Sequence, residues 1–266
     1  MPKLAVIGDP IEHSLSPVMF NAAFQVLGWL DWTYEKIQVK PSELKSLLPK
    51  LKSEGYIGLN VTIPHKQAML NFFEPDTPAR AIGGINAVDL RTHTGTNTDW
   101  VGLIDDLRAH SIKLKGQRIL IVGAGGAARA AIYGLYQTGA HISVFNRTPE
   151  RLNAVIHDFP FITPETSLNS LQNYQVILNC TPVGMYPHVD ESPIPPPFRI
   201  PKSTVVYDLI YRPRQTKLMR LAAAQGCRVI GGFGMLIRQG AAAFEWWTGQ
   251  PAPLEVMRMA VEKELA

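Results

Sequence analysis

The sequence predicts an α/β protein with two domains. Its 266 residues are enough for two domains of about 100–150 residues each. Short apolar runs alternate with helical stretches along the whole chain, which is typical of strands alternating with helices. A glycine-rich turn directly after an apolar run marks the start of a second unit. We expect the domains to cover residues 1–100 and 101–237, with the last helices, from about 238 to 266, returning to the first domain.

The elements of the first domain are predicted from apolar runs bounded by turn residues. Strands are expected at Leu4–Ile7, Thr33–Ile37, Leu59–Ile63 and Ile85–Leu90, and helices at Pro17–Leu27, Ser42–Leu51 and His65–Phe73. A connecting helix is expected over Thr98–Ala109, since Gly116 punctuates its exit.

The second domain restarts with a strand at Arg118–Val122 and a helix over Gly126–Gln137. Further strands are expected at His141–Phe145, Val176–Asn179, Val205–Leu209 and Arg228–Ile230. The segment Pro187–Pro201 is rich in proline and is predicted to be a loop. The last two helices are expected over Phe233–Trp247 and Pro253–Leu265.

Composition excludes several classes of function. The net charge of +4 comes with no long basic run, so no nucleic-acid surface is expected. Cys180 and Cys227 lie far apart, which favours reduced thiols and a cytoplasmic protein. No apolar run reaches the 18 or so residues of a membrane span. The seven histidines lack metal-ligand spacing, so no metal is expected.

The turn Gly123–Ala128 fits the pattern G-x-G-x-x-G/A of a dinucleotide-binding, Rossmann-type domain. Gly123 would make the tight turn, Gly125 would let the backbone approach a pyrophosphate, and Ala128 would keep the helix close to the sheet. The backbone N–H groups at the helix start would then face the phosphates. A strand–helix turn without a ligand is the alternative, but the strand before the motif and the helix after it favour the cofactor site.

The choice of cofactor is indicated by the end of the second strand of this domain. NAD-binding domains usually place a carboxylate there, to accept a hydrogen bond from the ribose 2′-OH. Here the chain reads Phe-Asn-Arg-Thr over 145–148. Arg147 can bind a 2′-phosphate with its planar guanidinium, and Arg151 lies one helical turn further on. The sequence therefore favours NADP, unless both arginines are simply exposed residues at a helix start.

Two ionisable residues are candidates for proton transfer. Lys66 follows a predicted strand and Pro64, which suits a first helical turn, where the helix dipole opposes a cation. A lysine in that setting can give and take a proton. Asp99 lies at the start of the connecting helix, where the dipole favours its charge. On spacing alone, an exposed lysine and a capping aspartate are the simpler interpretations.

Two hydroxyl groups near the N-terminus are candidates for binding a polyol or a carboxylate. Ser14 and Ser16 stand two residues apart, directly before Pro17 and a predicted helix. Capping of that helix is the alternative role, and it is the better one for this segment taken alone.

Taken together, these motifs resemble those of the shikimate dehydrogenase family, which includes shikimate and quinate dehydrogenases. The matching segments occur in the same order over nearly the whole chain: Ser14–Pro17 (S-x-S-P), Asn60–Lys66 (N-V-T-x-P-x-K), Gly95–Gly102 (G-x-N-T-D-x-x-G), the turn at Gly123, the N-R-T segment at Asn146, the N-C-T-P-x-G segment at Asn179, and Gly234–Gly240 (G-M-L-x-x-Q-G). This joint pattern is far more specific than any single motif.

The resemblance implies a role for each matched position. Lys66 and Asp99 would be the catalytic pair, which we expect to meet across an interdomain crevice, beside a nucleotide on the Gly123 turn. The substrate would be bound by Ser14, Ser16, Thr62, Asn86, Tyr211 and Gln239. The cofactor, NADP, would be bound by Gly123, Ala124, Gly125, Gly126, Ala127, Asn146, Arg147, Thr148, Arg151, Thr181, Gly232 and Met235.

The expected activity is the reversible reduction of 3-dehydroshikimate to shikimate in aromatic amino-acid biosynthesis, by a monomer or homodimer. Three departures from the family pattern stand at Phe20, Ala87 and Gly231, where the family often has His, Thr and Asp. Two alternatives remain open. One is a quinate dehydrogenase with broader substrate or cofactor use, and the other is a non-enzymatic protein that senses NADP.

Overall fold

The structure is a computed structural model that describes residues 1–265. The chain folds into two compact units. The first joins Met1–Gly102 to the C-terminal segment from Ile237 onward, and the second spans Leu103–Leu236. Each unit has its own six-stranded sheet with helices packed on it, which confirms the α/β class.

Elements alternate between strand and helix through the first hundred residues. They are β1 (Lys3–Gly8), α1 (Ser16–Val26), β2 (Thr33–Gln38), α2 (Leu44–Ser53), β3 (Tyr56–Val61), β4 (Glu74–Pro75), α3 (Thr77–Ile82), β5 (Ala87–Asp89), β6 (Thr94–Thr96) and α4 (Asp99–Ala109). Short 3-10 helices occupy Pro41–Glu43 and Ala68–Asn71.

The rest of the chain forms the second sheet and the C-terminal helices. The elements are β7 (Arg118–Val122), α5 (Gly126–Gln137), β8 (His141–Phe145), α6 (Pro149–Asp158), β9 (Thr163–Glu165), β10 (Val176–Asn179), β11 (Val205–Asp208), α7 (Lys217–Ala224), β12 (Arg228–Gly231), α8 (Phe233–Thr248) and α9 (Leu254–Glu264), with a 3-10 helix at Leu171–Asn173. The segment Pro187–Pro201 is a loop, as its prolines predict.

The sheet of the first unit is mixed, in the order β2-β1-β3-β5-β6-β4. Strands β2, β1 and β3 are parallel, whereas β5 runs antiparallel to β3, with Ala87 opposite Asn60. The start of β5 therefore lies beside the carboxyl end of β3. This register brings the chain after β3 and the chain before β5 to one edge of the sheet.

The sheet of the second unit is entirely parallel, in the order β12-β11-β10-β7-β8-β9. Its central strands are apolar and buried, as a sheet covered on both faces requires; β7 reads Arg-Ile-Leu-Ile-Val and β10 Val-Ile-Leu-Asn. The order of strands reverses between β7 and β10, which is the switch point where open α/β sheets bind ligands.

The C-terminal helices pack on the first unit, as predicted. Phe244 of α8 lies against Phe20 and Phe24 of α1, with ring centroids 6.4 and 6.1 Å apart. Helix α9 packs along α1. The apolar faces of these helices thus cover one face of the first sheet.

The predicted helix over His65–Phe73 is wrong. Only a single 3-10 turn forms, at Ala68–Asn71. The backbone oxygen of Lys66 accepts from the N–H of Ile85 at 2.9 Å, and the ring of His65 is bonded to the carbonyl of Val39 at 2.7 Å. The bond from Ile85 uses the Lys66 carbonyl, which a helix would need, and the bond to Val39 fixes the His65 side chain, so the segment stays irregular.

Candidate active site

The amine of Lys66 and the carboxylate of Asp99 form an ion pair. Nζ lies 2.5 Å from Oδ2, and the two side chains are only 19% and 9% exposed. Both residues belong to the first unit, so the expectation that the pair would form across the two domains is wrong. Lys66 also lies outside any α-helix, so its charge is balanced by Asp99 and not opposed by a helix dipole.

Asn86 fixes the second oxygen of the Asp99 carboxylate. Its Nδ2 donates to Oδ1 of Asp99 at 2.9 Å and to the hydroxyl of Thr98 at 3.0 Å, while its Oδ1 accepts from the N–H of Thr98 at 2.7 Å. The N–H of Asp99 donates to Oδ1 of Asn97 at 3.1 Å. Asn86 and Asn97 are each 2% exposed, so this network holds Asp99 in one orientation.

The local fold explains why Lys66 reaches Asp99. Lys66 follows the carboxyl end of β3, and Asn86 precedes β5 at the same edge of the sheet. The bond between Lys66 and the backbone of Ile85 ties these two segments together beside the start of α4. Sequence spacing alone contains none of this information.

Ser14 and Ser16 lie at the start of α1, close to the buried Tyr34 of β2. Ser14 Oγ accepts from the N–H of Ser16 at 3.4 Å, which is a long bond, and the N-cap residue Leu15 gives no side-chain cap. Capping therefore accounts for little of this motif. The hydroxyl of Tyr34 donates to Oδ1 of Asn60 at 2.6 Å, and burial raises the pKa of Tyr34 well above its usual value.

The other predicted substrate residues divide between the two units. Thr62 follows β3, and its methyl group covers Gly8 so closely that a Cβ there would lie 2.5 Å away. Oε1 of Gln239, on α8, lies 3.5 Å from Nδ2 of Asn86. Tyr211 lies in the second unit, where burial raises the pKa of its hydroxyl. The first unit thus brings Gln239 to the Asn86 network, whereas Tyr211 belongs to the other unit.

The predicted cofactor residues all lie in the second unit. The turn between β7 and α5 contains Gly123, Ala124 and Gly125, and α5 begins with Gly126 and Ala127. The turn between β8 and α6 contains Asn146, Arg147 and Thr148, and Arg151 lies in α6. Thr181 follows β10, Gly232 follows β12, and Met235 lies in the first turn of α8. Each group follows the carboxyl end of a parallel strand, where such sheets bind their ligands.

The glycine turn has the geometry of an anion-binding loop. Gly123 has φ +122°, and a Cβ there would lie 3.1 Å from the carbonyl of Cys180 and from the methyl of Thr181. A Cβ on Gly125 would meet nothing within 4 Å, so the loop has open space in front of it. Gly125 is the N-cap of α5 and supplies no side-chain cap. The N–H groups of this helix start can therefore serve a pyrophosphate.

The chain after β8 fits a phosphorylated ribose. Arg147 and Arg151 are both exposed, and Nδ2 of Asn146 bonds to the carbonyl of Thr148 at 2.9 Å. No carboxylate stands at 145–148 to accept from a free 2′-OH. The donor set of this turn therefore fits NADP better than NAD.

Comparison with known proteins agrees with this geometry. The family model described as "Shikimate dehydrogenase substrate binding domain" matches residues 6–88, "Shikimate / quinate 5-dehydrogenase" matches 106–186, and "Shikimate 5'-dehydrogenase C-terminal domain" matches 232–262. A relative named shikimate dehydrogenase (NADP(+)), from Methanocella arvoryzae, is 42% identical over 98% of each chain. The chain belongs to the shikimate dehydrogenase family.

Solved structures of the family share the fold. Shikimate 5-dehydrogenase from Thermus thermophilus, in complex with NADP(H) and shikimate, has a TM-score of 0.91 at 35% identity over 99% of each chain. The ligand-free 5-ketofructose reductase of Gluconobacter sp. strain CHM43 has a TM-score of 0.85 at 30% identity over 98% of each chain. This fold therefore also occurs in a protein named for a different substrate.

Within this member of the shikimate dehydrogenase family, residues 1–265 contain no helix long and apolar enough to cross a membrane. The same residues hold no group of three His, Cys, Asp or Glu side chains that could bind a metal ion.

Phe20 stands where the family often has histidine. Its ring is fully buried and stacks on Tyr34 with centroids 4.3 Å apart. That position is used for packing in this chain.

Sequence reasoning missed the residues that orient the named ones. The sequence assigns Asn86 to substrate binding and does not predict its bonds to Thr98 and Asp99. Asn179 begins the N-C-T-P-x-G segment, but the sequence assigns it no role, and Asp208 is not singled out at all. These two residues, at the ends of β10 and β11, are hydrogen-bonded to each other at 2.9 Å and are both 0% exposed. A polar residue at the end of an apolar strand is the signal that could have found them.

Proposed function

We propose that this protein is an NADP-dependent shikimate dehydrogenase that catalyses the reversible reduction of 3-dehydroshikimate to shikimate. The observation that carries the proposal is the Lys66–Asp99 ion pair, 2.5 Å long and held by Asn86, in a chain of this family. A paired ammonium and carboxylate can supply and recover one proton beside a reacting oxygen. The relatives' names supply the substrate and the cofactor.

Substrate hydroxyls and the carboxylate are bound by Ser14, Ser16, Thr62, Asn86, Tyr211 and Gln239. The weak capping contact of Ser14 supports this role, because its hydroxyl is not committed to the helix by a short bond. Oε1 of Gln239 lies 3.5 Å from Nδ2 of Asn86, which places this amide close to the ion pair.

The cofactor is bound by the residues after the strands of the second unit. The turn Gly123, Ala124, Gly125, Gly126 and Ala127 holds the pyrophosphate: the N–H of Gly123 is bonded to the carbonyl of Phe145 at 2.8 Å, and the N–H groups at the start of α5 face the ligand. Asn146, Arg147, Thr148 and Arg151 serve the adenosine and its 2′-phosphate. Thr181, Gly232 and Met235 complete the site. NADPH, when bound, supplies the hydride that reduces the ring ketone.

Lys66 is the proton donor in the reduction. As the ketone oxygen gains negative charge, the Lys66 ammonium gives it a proton, and in the reverse direction the amine recovers that proton from the hydroxyl. Asp99 holds Lys66 by its Oδ2 and balances its charge, while Asn86 prevents the carboxylate from turning. The low exposure of the pair strengthens these electrostatic interactions.

A steady-state assay tests this function directly. Purified protein is assayed with shikimate and with quinate, each with NADP and with NAD, and kcat/KM is compared for the four combinations. The proposal predicts the highest value for shikimate with NADP. A higher value for quinate, or for NAD, would favour the broader quinate dehydrogenase. NADPH binding without any turnover would favour a sensing protein.

The proposed place of action is the cytoplasm, in the route to aromatic amino acids. Cys180 and Cys227 are both free thiols, which suits a reducing compartment. The substrate and product are small polar acids that the route passes between enzymes.

A further inference from the structure

A buried carboxylate lies beneath the ligand loops of the second unit. Asp208, the last residue of β11, is 0% exposed and accepts three hydrogen bonds. Nδ2 of Asn179 donates to Oδ1 at 2.9 Å, the N–H of Ile210 donates to Oδ1 at 3.1 Å, and the hydroxyl of Thr216 donates to Oδ2 at 2.7 Å. Both carboxylate oxygens therefore accept hydrogen bonds from the protein itself.

One branch of this network leads to the phosphate loop. Oδ1 of Asn179 accepts from the N–H of Thr181 at 2.9 Å and from its hydroxyl at 2.7 Å. The hydroxyl of Thr181 in turn accepts from the N–H of Val183 at 3.2 Å. The methyl of Thr181 lies 3.1 Å from the position of a Cβ on Gly123. The orientation of the Asn179 amide thus fixes the position of Thr181 beside the glycine turn.

A second branch leads to the segment before Tyr211. The bond from the N–H of Ile210 to Asp208 fixes the turn that follows β11. The carbonyl of Ile210 accepts from the N–H of Gly232 at 3.1 Å, and a Cβ on Gly232 would lie 1.9 Å from the carbonyl oxygen of Leu209. The backbone at 209–210 therefore fixes the position of Gly232 and the path of the chain into Tyr211.

The third branch anchors the far end of the same loop. Thr216 is 0% exposed and is the N-cap of α7, with its hydroxyl oxygen accepting from the N–H of Met219 at 3.3 Å while its proton goes to Asp208. The loop 209–215 is thus held to one carboxylate at both ends. The donors of Asn179, Ile210 and Thr216 all point toward Asp208, so the orientation of these three groups depends on that acceptor.

We infer that Asp208 is a positioning residue, whose carboxylate holds the cofactor loop at Thr181 and the substrate loop at Tyr211 in a single arrangement. This inference rests on the proposed function, which assigns Thr181 to NADP and Tyr211 to the substrate. Asp208 touches neither ligand in this account. It acts through Asn179 on one side and through Ile210 and Thr216 on the other.

The test is Asp208→Asn, which keeps the shape of the side chain but replaces one acceptor oxygen with a donor. The amide can still accept from Asn179, whereas the hydroxyl of Thr216 loses its acceptor. We expect KM for both NADP and shikimate to rise about five- to tenfold, which is the size expected for the loss of one ordinary hydrogen bond, while kcat changes less than about twofold. A purely structural role would lower the amount of active enzyme with both KM values unchanged.

Two threonine variants provide a matched pair that does not depend on Asp208→Asn folding. Thr216→Val and Thr204→Val each remove a buried hydroxyl that donates at 2.7 Å, the first to Asp208 and the second to the carbonyl of Tyr174 at the opposite end of β11. Both should lower the melting temperature. Only Thr216→Val should raise the two KM values.

Three results would overturn the inference: unchanged KM values in Asp208→Asn and Thr216→Val, a rise confined to one of the two ligands, or an equal rise in Thr204→Val. Failure of the proposed function is distinguishable, since it would appear as a wild-type protein without turnover of 3-dehydroshikimate. In that case, titration of NADPH fluorescence still tests the cofactor branch, because a Kd unchanged in Asp208→Asn contradicts it.

Discussion

Nζ of Lys66 lies 2.5 Å from Oδ2 of Asp99, although the two residues are 33 positions apart in the chain. Nδ2 of Asn86 donates to the other oxygen of the Asp99 carboxylate. An ammonium held in this way has a fixed direction, so its proton can be aimed at one substrate oxygen. This arrangement makes the pair the centre of the proposed chemistry.

Replacing Lys66 with alanine should remove the proton donor and leave cofactor binding intact. We expect kcat to fall by about 10²–10⁴, the usual contribution of a positioned acid or base, with the Kd for NADPH unchanged. Lys50→Ala, at a lysine that is 67% exposed, should retain wild-type kinetics. Near-normal turnover in Lys66→Ala would remove the proposed role of this residue.

Replacing Gly125 with alanine should separate cofactor binding from stability. Gly125 has φ −89° and ψ −172°, which alanine adopts readily, and a Cβ there meets no protein atom within 4 Å. The melting temperature should change little, because the freedom lost by the unfolded chain is offset by alanine being a poorer N-cap than glycine. The Kd for NADPH should rise more than about tenfold, since the methyl group would take the space needed by the pyrophosphate. Tight NADPH binding by this variant would exclude the loop as the phosphate site.

Replacing Arg147 with alanine should weaken selection for the 2′-phosphate. We expect KM for NADP to rise about 10- to 100-fold, as for a lost charge-assisted hydrogen bond, and KM for NAD to change little. Arg199→Ala, at an exposed arginine of the proline-rich loop, is the control and should change neither. An equal rise in KM for both cofactors would mean that Arg147 does not distinguish them.

The stability of the protein should depend on the ionisation of Asp208. Burial raises the pKa of this carboxyl from 3.8 to about 6, against the bonds from Thr216, Ile210 and Asn179. Because the folded-state pKa is the higher one, stability is lost as the pH rises through about 6. The neighbouring Cys180 thiol stays neutral there, since burial raises its pKa.

Urea unfolding of wild type and Asp208→Asn over a range of pH measures this effect. Between about pH 4.5 and 7.5, the unfolding free energy of the wild type should fall by about 2 kcal/mol relative to the variant. The comparison cancels the contributions of the other carboxyl groups. A difference that stays constant with pH would show that Asp208 does not titrate in this range.

The parts of the fold that follow from local pattern could be predicted from the sequence. The parallel sheet of the second unit is one such part, because strands such as Arg118–Val122 are continuous apolar runs and the turn after them needs glycine at a φ of +122°. Strands of two or three residues, such as Glu74–Pro75 and Thr94–Thr96, could not be found, because they are too short to show alternation.

The candidate site was predicted as a set of residues but not as a geometry. The segment at Lys66 looked like a helix start, and only the tertiary bond from Ile85 to its carbonyl shows why no helix forms. The orientation of Asp99 by Asn86, and of Thr181 through Asn179 and Asp208, depends on strand ends that meet only in the folded sheet. Such contacts are invisible to spacing along the chain.

The most direct test of the central claim is a double-mutant cycle on Lys66 and Asp99. The kcat for 3-dehydroshikimate reduction is measured for wild type, Lys66→Ala, Asp99→Asn and the double variant, with NADPH saturating. If Asp99 acts by holding Lys66, the double variant should be about as slow as Lys66→Ala alone, because residues that act as a unit are not additive. A double variant in which the two separate losses multiply would contradict the account.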